Sequence, residues 1–117
     1  VLVSDLLWPG EPGPLLDGLA RGAGHAVLFV PFAVVEAEPD WEGHVDLNDC
    51  ESSLRRVVCV NESVLREYRR AYSTHFTWWE DAAQSRQIAC ARLPDAGDLS
   101  ENLGRFALPT GAVAPRG

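Results

Sequence analysis

At 117 residues, with 46% apolar and 23% charged positions, the chain has material for one modest hydrophobic core. Its formal charge of −7, with every cation an arginine and no basic cluster, argues against nucleic-acid binding and against docking on anionic membranes. No apolar run approaches the roughly 20 residues of a membrane span.

The first stretch, Val1-Leu2-Val3-Ser4-Asp5, is an uninterrupted apolar run that ends in a polar pair. It reads as a parallel-sheet strand buried on both faces, with Asp5 at the carboxyl end where open α/β sheets place ligand chemistry. The chain opens inside this strand, which suggests the second half of a larger sheet. A stiff Trp8-Pro9-Gly10 to Pro14 loop follows. Leu15, Leu16, Leu19, Ala20 and Ala23 then recur at helical spacing, with Pro14 suited to open the helix and Gly24 to cap it. Ala26 to Val30 form a second buried strand, closed by Pro31. Strand, helix and strand in this space predict a parallel βαβ unit.

Val34 to Gly43 read as an acidic loop, in which Glu36, Glu38, Asp40 and Glu42 surround Trp41. His44 to Asp49 alternate with period two and Arg56 to Val60 are strand-like, with turn chemistry at Cys50-Glu51-Ser52-Ser53. The pair is expected as a hairpin beside the main sheet. The longest element runs from about Glu62 to Gln84, with Asn61 as its N-cap. Its stripe of Leu65, Tyr68, Tyr72, Phe76, Trp79 and Ala83 is expected to dock on the sheet. Ile88 to Leu93 give a third sheet strand. Asp98 caps a short helix through Leu99, Leu103 and Phe106. The predicted class is a three-layer α/β fold with a mostly parallel, Rossmann-like sheet and an added hairpin. Residues 1–108 form the folded part and 109–117 a flexible tail.

Chemistry-bearing motifs are sparse. Cys50, Cys59 and Cys90 form no CxxC pair and match no zinc spacing with His25, His44 or His75. They read as reduced thiols of a cytoplasmic protein, and no leader peptide is apparent. GxSxG, GxGxxG and phosphate-loop patterns are absent. His25 and His75 read as structural. Trp79 falls on the helix stripe, Trp78 lies one residue off it, and Trp8 and Trp41 sit on loops where exposure would make them contact anchors.

Val1-Leu2-Val3 before Ser4-Asp5-Leu6, Gly24-His25 before a strand, Glu36, Gly43, Leu47, Asp49, Glu51, Tyr68 and the Leu99–Leu103 helix together carry a resemblance. In order and spacing the chain resembles the C-terminal half of the bacterial domain-of-unknown-function 58 family, whose core is a von Willebrand factor A-like domain. The resemblance extends from Val1 to about Phe106. It implies a metal-ion-dependent adhesion site at the carboxyl end of the sheet, holding Mg2+ or Mn2+ in an intact domain, with Asp5 matching the Asp ligand that ends a strand. The other ligands, a DxSxS loop and a Thr, have no counterpart in this sequence, so no cofactor is expected in this segment alone. The family also implies a non-enzymatic assembly or chaperone-like role beside a MoxR-type AAA+ ATPase. A different class, a small metal-dependent hydrolase, would bring Asp5 together with Asp46 or Asp49. A homodimer through the open edge of the first strand is a further expectation.

Overall fold

The computed structural model describes residues 1–22, 25–48 and 52–114. In chain order the elements are β1 (Leu2–Val3), α1 (Pro12–Arg21), β2 (Val27–Phe32), α2 (Val34–Ala37), β3 (Gly43–Asn48) and β4 (Arg55–Val60). These are followed by α3 (Glu62–Ser85), β5 (Ala89–Pro94) and α4 (Leu99–Asn102). The last helix runs on through a π turn at Leu103–Ala107 and a 3-10 turn at Leu108–Thr110, stopped by Gly111 in the left-handed conformation. The molecule is therefore mixed α/β, with a parallel sheet ordered β1-β2-β5 and a separate antiparallel β3-β4 hairpin.

Both crossovers step in one direction across the sheet, from β1 to β2 and from β2 to β5. Their helices accordingly share a face, where α1 meets α3. Leu28 and Val30 of β2 and Leu16 of α1 pack there with Phe76, Trp79 and Ala83 of α3, and Leu6 and Ile88 close the cluster. On the opposite face Val27, Ala91 and Ala107 are buried, and the C-terminal π turn packs on β5.

Pro31 continues β2 to Phe32 and does not end it. The carbonyls of Ala26 and Phe32 accept from Ala89 of β5 and from Asp95 just past it, while that of Phe29 accepts from Ser4, so odd-numbered residues of β2 turn their backbone groups towards β1. β1 has ended by then, so the N–H that proline lacks costs no ladder bond.

The first strand is not buried on both faces. Val1 is 80% and Val3 64% exposed, because among the described residues β1 is an edge strand paired by β2 alone, and no described helix covers the face Val3 occupies. Helix α1 starts at Pro12, two residues before Pro14. Both prolines lie in the first turn, where N–H groups have no intrahelical acceptor. It ends at Arg21 with Gly22 as its cap; Gly24, Asp49, Cys50 and Glu51 lie outside the described residues.

Asn61 caps α3 as its position predicts, its side chain accepting from the Val64 N–H at 2.9 Å. The docking expectation holds only for the C-terminal half of that helix. Its 24 residues span about 36 Å, whereas six-residue strands span about 20 Å, so the N-terminal half overhangs the carboxyl end of the sheet. Tyr68 and Leu65 are consequently not core residues. The overhang and the mostly exposed hairpin stretch the molecule to 51 × 32 × 25 Å. Its radius of gyration is 16.4 Å, against about 13 Å for a compact chain of this length.

Candidate interaction site

The chain leaves β1 through a tight local turn. The Ser4 hydroxyl accepts from the Leu6 N–H at 3.1 Å, and the Asp5 carboxylate accepts from the Leu7 N–H at 3.1 Å. Each side chain bonds the backbone two residues on, the turn-forming habit of Ser and Asp. Leu6 takes a left-handed backbone, φ 56°, and buries its side chain in the core. Its carbonyl lies 2.6 Å from Nε2 of His75 on α3, which ties the turn to the helix. This contact gives His75 a structural role.

This turn delivers Trp8 to the overhanging half of α3. The indole lies against the backbone of Gly10, where an added Cβ would come within 2.0 Å of the ring, so glycine is required for that pose. Behind it the indole meets Trp79 at 6.3 Å between centroids. Trp8 is 52% exposed, yet held from two sides. Between it and α3 opens a groove of about 300 Å³, walled by Trp8, Tyr68, Tyr72, His75 and Phe76. A second apolar groove lies on the other side of Trp8, over Leu2, Val3 and Leu15 beside β1.

The α3 wall is an aromatic ladder, with Tyr68–Tyr72 at 6.0 Å and Tyr72–Phe76 at 4.7 Å. Tyr68 donates to the Glu36 carbonyl at 2.6 Å. Burial, with the Glu36 carboxylate and Tyr72 adding to it, pushes the Tyr68 hydroxyl above its ordinary range. Arg92 of β5 lies beneath, its guanidinium 4.0 Å from the Phe76 centroid and 4.3 Å from that of Phe32, and it donates to the Tyr72 hydroxyl at 2.6 Å. Ring faces therefore stabilise a half-buried cation in place of a carboxylate.

Asp5 lies at the carboxyl end of β1 as predicted, but it is an exposed turn carboxylate. At the corresponding end of β5, Asp95 caps α2 by accepting from the Val34 N–H at 3.0 Å. Asp46 pairs with Arg55 across the hairpin. Among the described residues, no three His, Cys, Asp or Glu side chains converge as a metal-binding group. Of the acidic stretch, Glu36 belongs to α2 and only Glu38, Asp40 and Glu42 remain in loop. Trp41 is half-buried, Trp78 exposed and Trp79 fully buried.

A scan against family models gives no match. Comparisons with curated proteins and with solved structures give none either. What the arrangement offers is contact chemistry: an open strand edge, two apolar grooves and a fixed, half-exposed tryptophan between them. No helix among the described residues is long and apolar enough to cross a membrane. Gly10 and the α3 overhang were not singled out from the sequence. The Trp8-Pro9-Gly10 tripeptide is the one local signal that could have pointed to them.

Proposed function

We propose that this chain is a non-enzymatic protein-interaction module resembling the C-terminal half of a von Willebrand factor A-like domain, and that β1 is where it receives a strand from another protein. The open side of β1 carries the reading. Ser4 bonds inward to β2, so alternation turns the N–H and carbonyl of Val3 outward. Around them lie exposed Val1, Val3, Leu7 and Trp8, an apolar border suited to strand addition.

The strand order supports the same reading. Crossovers that all step one way create no point where strand order reverses, and such points are where open α/β sheets form a ligand crevice. A strand received on β1 would create one where its own chain leaves towards the opposite face, with Asp5 at its rim. In that assembled sheet Asp5 would contribute to an Mg2+ or Mn2+ site. By itself it is one carboxylate, short of the oxygen set an octahedral cation requires, and one of its oxygens already accepts from Leu7. The family resemblance points to a MoxR-type AAA+ ATPase as the partner, and the cysteine pattern of the sequence to the cytoplasm as the location.

Interferometry with the purified MoxR-type ATPase of the same organism tests this directly. Val3→Pro removes the outward N–H while keeping an extended backbone, and is expected to weaken binding at least about tenfold. Asp5→Ala should leave binding unchanged in metal-free buffer. Absence of binding, or binding indifferent to Val3→Pro, would sink the proposal.

A further inference from the structure

We infer that the groove between Trp8 and α3 takes the cationic side chain of an arginine or lysine carried by a partner protein. The inference rests on the interaction-module reading but uses a different surface, the groove and not the β1 edge.

Its walls are the faces and edges of Trp8, Tyr68, Tyr72 and Phe76, and a cation over such rings is attracted by the ring quadrupole. The same helix already holds one guanidinium this way, since Arg92 lies against Phe76 and Tyr72. Among the described residues the cation–aromatic contacts are made by Arg92 and Arg105, and neither lies on Trp8 or Tyr68. Two carboxylates stand beside residues that line the groove. Asp5 bonds the backbone of Leu7, which lines the groove, and Glu36 sits at Tyr68, close enough for its charge to act on the phenol.

Of the positive groups nearby, Arg92 donates to Tyr72 and Arg69 reaches the Pro39 carbonyl, while Arg70 lines a neighbouring groove beside Glu67. His75 is tied to the Leu6 carbonyl. The formal charge of −7 adds a long-range bias towards cations and against anions. Preorganisation completes the case. Gly10 and Trp79 fix the exposed indole, so little rotamer freedom remains to be lost when a ligand arrives.

The test titrates the tripeptide Ac-Ala-Arg-Ala-NH2 and its neutral citrulline counterpart into the protein at low salt, following the indole N–H and aromatic-ring resonances by NMR. The arginine peptide should shift Trp8 and Tyr68 with a dissociation constant of about 1–10 mM, and the citrulline peptide should bind about tenfold more weakly. Trp8→Ala should abolish the response. Glu36→Gln, which keeps the volume of a half-buried side chain outside the core cluster, should weaken it severalfold and guards against misreading a fold defect in the first variant. Equal affinity for both peptides would mean an apolar groove with no preference for charge, and would overturn the inference. So would a response that survives Trp8→Ala, or none to either peptide. Val3→Pro should leave the peptide response intact, so failure of the groove and failure of the strand edge are read separately.

Discussion

Cys90 lies on the face of β5 that meets α3, and burial pushes its thiol up to about 11, with Glu80 adding to the shift and Arg92 opposing it. The thiolate is the reactive form, so Cys90 should resist iodoacetamide at pH 8 while the exposed Cys59 on β4 is alkylated. Site-resolved mass spectrometry of native and urea-unfolded protein checks this, and fast labelling of native Cys90 would contradict the packing. The sign of the linkage follows from the same shift. A raised value means that the fold favours the protonated thiol, so its contribution is intact below the ordinary value of 9.0 and is lost as pH rises through about 11. Trp79 offers a second test. It is fully buried, and its indole N–H has no acceptor among the described residues. Trp79→Ala should cost about 3–5 kcal/mol by opening a cavity. Trp79→Phe removes the desolvated donor along with some volume, and the two effects nearly offset, so urea denaturation should place it within about 1 kcal/mol of wild type.

Among the elements, the β3-β4 hairpin is the least supported. It is a two-stranded sheet that is mostly exposed, with Leu47 and Val57 open to solvent, and such a unit is marginal unless something packs on it. Its main anchorage is at the base, where Val60 is buried and Trp41 and Leu65 adjoin Gly43. Backbone amides of residues 44–48 and 55–59 should therefore exchange through local opening, at least about 2 kcal/mol below those of β2 and α3. Native-state hydrogen exchange reads this out, and protection equal to that of β2 would make the hairpin part of the central cooperative unit. Period-two alternation made this hairpin legible in the sequence, as apolar runs did β2 and β5, and the Asn61 cap with its aromatic stripe did α3. Elements that depend on tertiary partners were not legible. Val34–Ala37 is helical with its first N–H capped by Asp95, 61 residues away, and no local pattern announces that bond. Likewise the aromatic stripe predicts burial along all of α3, because the sequence does not say that the helix outruns the strands. Asp5 was legible as a strand-end carboxylate, yet its bond to the Leu7 N–H becomes clear only once Leu6 turns left-handed.

For the whole molecule, an edge that accepts a foreign strand must not be exhausted by pairing with itself. Two features oppose self-pairing. β1 is only two residues long, which limits the ladder a second copy could form. Each copy also carries a formal charge of −7, and two such molecules about 30 Å apart repel by about 7 kcal/mol before screening. Screening decides how much of that survives. The Debye length falls from about 30 Å at 0.01 M salt to about 3 Å at 1 M, so the repulsion is substantial in dilute buffer and negligible in concentrated salt. A two-fold pairing of β1 with β1 would be antiparallel and would join the exposed Val1, Val3 and Trp8 of both copies. Sedimentation velocity at about 100 μM protein should accordingly find monomer in 0.01 M salt and a dimer that grows in as salt rises to 0.5 M. Val3→Lys puts a charge into the apolar border and should hold the protein monomeric at every salt concentration. Monomer throughout would show that the short edge alone blocks self-pairing and would leave β1 to a longer strand from another protein. A dimer that weakens with salt, or one indifferent to Val3→Lys, would place the self-association on a different surface.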